Sequence, residues 1–251
     1  MAADTVPIWS FDPSQSDLQG NVAVYRPKWD VLKSLQVMHK LVQSRIIWVV
    51  DTEFCPIGNN ARPVPFSISV RDARTGDIVL STCIDYGGIG IDYLQRLIMQ
   101  HSGSKWTYAN KTAQYERHYK AACTHGMTLS AIGEFLRDAG FTTATHVLLS
   151  WWTSIDCEVI CRALLGNDDL FETTPKNELF AAVDGFIACS QPFNLAWIVR
   201  HCSNLSSMRL GYVFRSLFPD QRTLEMHVAD NDTLALVQIL HFVGFASQRW
   251  L

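Results

Sequence analysis

Charge of one sign is missing from this chain. Its 21 Lys and Arg stand against 24 Asp and Glu, a net charge of −3 at pH 7. A protein that coats nucleic acid without specificity would be basic, so that class is disfavoured. Cysteine pairs at metal-binding spacing are missing too. The cysteines at 55, 83, 123, 157, 161, 189 and 202 include no C-x-x-C pair, which argues against zinc and against a disulfide framework. Free thiols in a reducing, intracellular compartment, cytoplasmic or nuclear, are the expectation. No apolar run approaches a membrane span, so no membrane partner is expected. Met1 to Asp12 show no basic segment followed by an apolar one, as a secretory signal would. Internal repeats and low-complexity tracts are also lacking. What is present is ordinary for a packed protein: 251 residues, 48% hydrophobic and 18% charged, enough for one large α/β domain.

Hydrophobic patterning divides the chain into an N-terminal arm, 1–24, and a domain, 25–251. Trp29, Leu32, Leu35, Met38 and Val42 have amphipathic-helix spacing. The run Ile46 to Val50 predicts a buried strand over about 46–52. Pro63 and Pro65 introduce a second strand, Phe66 to Val70, and the turn Arg74-Thr75-Gly76-Asp77 leads to a third, Ile78 to Ile84. A short Gly-containing turn between two strands predicts an antiparallel hairpin. Helices are predicted near 93–101 and 129–139, the latter ended by Gly140. A buried strand at 145–149 precedes a helix from about 156 to 164. Residues 166–192 carry no clear signal, and further helices are predicted at 205–218 and 232–242. Three strands, a crossover and a fourth strand predict an α/β fold with a mixed sheet flanked by helices.

The chemistry-bearing residues stand against this frame. Asp51 and Glu53 lie at the end of the first strand, two apart and therefore on one face. Two carboxylates there repel each other and lose hydration, a poor bargain for structure alone. A divalent cation removes the conflict, because hard carboxylate oxygens suit Mg²⁺ and Mn²⁺. Asp156 opens a helix after a buried strand; alone it would be an ordinary helix-capping acid. His227 and Asp232 are five apart, about 140° around an unbroken helix, so they converge only if His227 lies on the loop before it. Asp230 and Asn231 are good caps for a helix starting there. Alone, His227 would be a surface or capping histidine.

Together D-T-E-F at Asp51 to Phe54, the aspartate at Asp156 and H-x-A-x-x-D from His227 to Asp232 resemble the DEDDh (DnaQ-like) 3′→5′ exonucleases, a branch of the ribonuclease H-like superfamily. The resemblance covers about residues 45–243, and Leu210 to Phe214 also look like that family. One departure stands out: Trp151 and Trp152 occupy places where family members often carry His-Asn. The resemblance implies a ribonuclease H-like fold. It also implies hydrolysis of phosphodiesters at the 3′ end of single-stranded RNA or DNA, with release of nucleoside monophosphates. Two divalent ions, Mg²⁺ or Mn²⁺, roughly 4 Å apart would stabilise the attacking and leaving oxygens. Asp51, Glu53, Asp156 and Asp232 would hold them. One ion falls to Asp51, Glu53 and Asp232, the other mainly to Asp51 with waters held by Asp156. His227 would be the general base, a task suited to histidine at neutral pH. The modest net charge is no obstacle, since the ions neutralise phosphate locally.

For substrate contacts, Phe54 is a candidate to stack on or wedge beneath the terminal base. Thr52 is a candidate for the 3′-terminal hydroxyl and Ile57 for a wedge. Trp151 and Trp152 are candidates for a base platform or, equally, for core. Arg71, Lys111, Arg117 and Lys120 are candidate phosphate contacts, although scattered basics are more often solvated surface. The tract Val64 to Gly88 and the Trp-Trp pair resemble fungal exonucleases that work with Argonaute in RNA silencing, which implies an Argonaute-type partner. The competing class is a catalytically silent module of the same fold that binds nucleic acid or protein. Filled catalytic positions favour the enzyme. A ribonuclease H-type endonuclease would have no reason for H-x-A-x-x-D.

Overall fold

The computed structural model describes residues 28–55, 64–86, 117, 120–152, 155–169, 174–186 and 194–248. The N-terminal arm, Ile57, Lys111, and the predicted helix at 93–101 lie outside them.

Helix α1 (Trp29–Ser44) buries Val31, Leu32, Leu35, Met38 and Val42. Trp29, which shares their spacing, is 66% exposed instead, with Lys33 Nζ 5.7 Å from the centre of its ring. The strands are β1 (Ile46–Cys55), β2 (Val64–Asp72), β3 (Ile78–Cys83) and β4 (His146–Leu149), in the order β3-β2-β1-β4. The expected hairpin is β2–β3, antiparallel, and β2 also runs antiparallel to β1. β4 pairs with β1 in parallel, Ile46 opposite His146 through Val49 opposite Leu149. The sheet is therefore mixed, as the pattern of elements predicts, and helices cover both faces.

Alternation along β1 sends Ile47 and Val49 to one face and Trp48 and Val50 to the other. The first face packs on α1, α5 (Leu195–Cys202), α6 (Leu210–Leu217) and α7 (Ala229–Ser247). The second packs on α2 (Leu129–Asp138), α3 (Ile155–Leu164) and α4 (Lys176–Ala182). Burial of this many large aliphatic side chains is the dominant stabilising term, at about 25 cal/mol per Å² of apolar surface. α2 and α3 touch closely at Gly133, where any Cβ would collide with the Ala163 carbonyl.

Several boundaries differ from the sequence expectation. β1 runs on to Cys55, because Glu53 still pairs with Ser67; the acids are inside the strand, not at its end. The register slips between Glu53 and Phe54, a bulge directly after the acid pair, where strands commonly re-aim side chains. The helix expected over 205–218 begins only at Leu210. Helix α5 was not expected at all; Asn194 caps it, its side chain accepting from the Trp197 N–H at 2.8 Å.

Candidate active site

Asp51 and Glu53 share the α7 face of β1. Across the sheet Asp51 stands opposite Ser69, and Glu53 opposite Ser67. β2 carries these small hydroxyls where a buried strand would normally carry aliphatics. Ser69 is fully buried, and its Oγ lies 3.1 Å from Thr233 Oγ1 on α7. Thr233 in turn donates to the Asp230 carbonyl at 2.9 Å. Arg71, also buried, donates to the carbonyls of Asp230 and Gly76 at 3.2 and 2.6 Å. These polar contacts fasten the first turn of α7 to β2, beside the acid pair. Arg71 is thus engaged with backbone rather than presented to solvent.

α7 begins at Ala229, with Val228 as the residue before it. Asp230 and Asn231 lie inside the first turn, not ahead of it. The Asp230 carboxylate accepts from Ser81 Oγ at 2.8 Å, and Asn231 Nδ2 donates to the Glu225 carbonyl at 2.7 Å. His227 precedes the helix with φ +67°, a left-handed conformation uncommon for a side-chain-bearing residue. That turn folds the loop back, so the His227 N–H donates to both Asp232 oxygens at 3.3 Å. His227 therefore meets the geometric condition its spacing set: it is on the loop, and it does converge with Asp232.

One ligand atom each from Glu53, His227 and Asp232 lie within 4.8 Å of one another. Glu53 is half-buried, Asp232 buried and the imidazole exposed. Burial pushes the Glu53 carboxyl up, and the Asp232 charge pushes it further. Burial also pushes Asp232 up to about 6, against the pull of His227 and Arg215. Asp51 is raised well above the usual carboxylate range by burial, then by the charges of Asp156, Asp232 and Glu53. Asp156, on the first turn of α3, is pushed up to about 7, mainly by burial. Its own N–H and the N–H of Thr52 hold it lower than it would otherwise be, while the buried Thr52 Oγ1 has no hydrogen-bond partner among the described residues. The four carboxyls thus form one interacting set, drawn from both faces of the sheet. Such a set of hard oxygens, costly to ionise unaided, fits Mg²⁺ or Mn²⁺.

The other candidates fall on different sides of this cluster. Thr52 is buried on the opposite face of β1 from Asp51 and Glu53, toward Asp156. Phe54 is half-buried against the α2–α3 core. Trp151 belongs to the core of the other face, its indole N–H donating to the Met208 carbonyl at 2.8 Å. Trp152 is the exposed member of the pair, at 43%. Arg215 was missed in the sequence, because a single exposed arginine in a helix carries no pattern; only the folded chain brings it near Asp232.

No family model matches the chain, and no curated protein matches it. Among solved structures, the Mg²⁺- and Mn²⁺-bound form of S. pombe Pop2p is similar to it at 11% identity and a TM-score of 0.49, over 88% of this chain and 90% of that one. The RNase domain of yeast Pop2 is similar at 14% identity and a TM-score of 0.45, over 90% of both chains. The structure of the yeast NOT1 MIF4G domain co-crystallised with CAF1 gives 13% identity and a TM-score of 0.45, over 90% of this chain and 92% of that one. At those scores the likeness is one of outline only.

Proposed function

We propose that the protein is a metal-dependent 3′→5′ exonuclease that hydrolyses phosphodiester bonds at the end of a single strand and releases nucleoside monophosphates. The observation that carries this reading is the convergence of Glu53, His227 and Asp232 within 4.8 Å, on the face of β1 that also carries Asp51. In this reading Asp51, Glu53 and Asp232 hold one divalent ion, and Asp51, with waters ordered by Asp156, a second. Bound ions would lower the pKa of water and neutralise charge on the phosphate.

The chain's own residues supply the rest. His227 sits at the exposed rim with its backbone tied to Asp232. Its side chain is exposed to solvent beside the acids. It accepts the proton of the attacking water and returns it to solvent, the work of a general base. The Thr52 N–H steadies Asp156 from the other side of the strand. Trp152, exposed beside α3, is the better of the two tryptophans to stack on a base. The proposed setting is RNA silencing or RNA turnover inside the cell. An Argonaute-type partner rests on the sequence resemblance alone. Among the described residues, no helix is long and apolar enough to cross a membrane.

The test is a time course on 5′-labelled RNA and DNA of one sequence, with Mg²⁺, Mn²⁺ or EDTA. A metal-dependent ladder shortening from the 3′ end, blocked by a 3′-phosphate, is the expected result. Digestion unaffected by the block would indicate attack at the 5′ end or within the chain. Absence of any product would leave the catalytically silent binding module standing.

A further inference from the structure

Arg215 has no part in the chemistry described above. It lies exposed on α6, and its Nε donates to the Gly211 carbonyl one turn earlier at 3.0 Å. A Cβ on Gly211 would come 2.9 Å from Arg215 Nη2 and 2.8 Å from Met226 Cγ. The guanidinium and the Met226 side chain therefore border one small space, open only because residue 211 is glycine. Met226 directly precedes His227. Beneath them α6 is anchored by buried Val213, Phe214 and Leu217, in the same core as Leu236 and Leu240 of α7. A short, well-seated helix thus carries the guanidinium to the edge of the His227 loop, with Nε alone bonded to its own helix.

We propose that Arg215 is a substrate-binding residue whose guanidinium grips a phosphate of the nucleic-acid strand at the His227–Asp232 end of the acid cluster. The inference rests on the exonuclease reading and deepens it. Carboxylates that gather ions also repel a polyanion. A permanently charged fork matched to two phosphate oxygens offsets that repulsion and fixes the strand's direction.

The experiment is steady-state digestion of the polymer that the wild type cleaves, across a series of KCl concentrations, by wild type, Arg215→Ala and Arg215→Lys. For the alanine variant, KM should rise about tenfold, the loss of one charged hydrogen-bonded contact, with kcat little changed. Its slope of log KM against log salt should be shallower by about 0.7, the contribution of one phosphate contact on a single strand. Arg215→Lys should restore the slope and only part of KM, since it keeps the charge and loses the fork. An unchanged salt slope in Arg215→Ala, even with a lower melting temperature, would overturn the inference and leave the exonuclease reading intact. A wild type that releases nothing from RNA or DNA with either metal would overturn both.

Discussion

The two faces of β1 follow the same alternation and end in different chemistry. Toward α2 and α3, Trp48 and Val50 meet Leu129, Ile132, Leu136 and Ile160, an apolar interior of the usual kind. Toward α7, the strand begins the same way with Ile47 and Val49. Two residues on, it turns to Asp51 and Glu53, over Ser69, Arg71 and Thr233. The difference teaches that polarity inside a fold is informative by its position along an element. α7 buries Leu236, Ile239 and Leu240 further down, so the helix is core at one end and site at the other. The polar end is held by hydrogen bonds with directions, which fix side chains more narrowly than apolar packing does.

The sharpest way to break the comparison is Asp51→Ala. It removes the carboxyl coupled to the other three, and nucleotide release should fall to the level seen with EDTA. Robust cleavage by that variant would sink the metal assignment. Next is His227→Ala, which should cut turnover by roughly 10²–10⁴-fold, the range for a lost general base, with the melting temperature little moved. Should its pH–rate profile keep the wild-type acidic limb, the base is elsewhere. On the apolar face, Ile160→Ala should cost about 2–5 kcal/mol of stability by leaving a cavity. Chemical denaturation measures it, and the loss should be the same with and without Mg²⁺. A loss that depended on metal would show that the two faces are not separable.

The smallest effect is in pH. The Asp156 carboxyl is raised from 3.8 to about 7 in the folded protein, so the native state holds that proton more tightly than the unfolded chain. Its stabilising share is full below pH 3.8 and is lost as pH rises toward 7. In metal-free protein, Asp156→Asn should therefore gain on the wild type over that window, on the order of a few kcal/mol, and the gap should level off above it. Melting curves in EDTA at a series of pH values give the gap. A gap that narrowed with rising pH would reverse the sign assigned to this group.

Much of this molecule was legible beforehand. The strands, the β2–β3 hairpin and the mixed sheet follow from short apolar runs and turn residues, and α1, α2 and α3 from helical spacing or strand-to-helix order. Asp51 and Glu53 were visible because two acids in an apolar run conflict with burial. Other features were not legible, for physical reasons. Asp230 and Asn231 looked like caps, but Ser81 and Glu225 engage them from outside the helix, so α7 starts earlier. The identical letters of Trp151 and Trp152 hide opposite environments, because only the tertiary fold brings the Met208 carbonyl to one indole. Arg71 read as a candidate phosphate contact, yet its donors are taken by the Gly76 carbonyl of the next turn and, far along the chain, the Asp230 carbonyl of α7. Long-range partners of this kind leave no trace in local pattern.

The acids come from three distant stretches of chain, and the last of them, with His227, lies on and just before α7. During synthesis, at about 5–20 residues per second, the ribosome delivers Asp51, Glu53 and Asp156 well before Asp232. Until α7 docks on β2, the early acids are a strand and a helix end with nothing to close them. On the exonuclease reading, a chain that stops short of residue 227 lacks both His227 and Asp232 and should release no nucleotide.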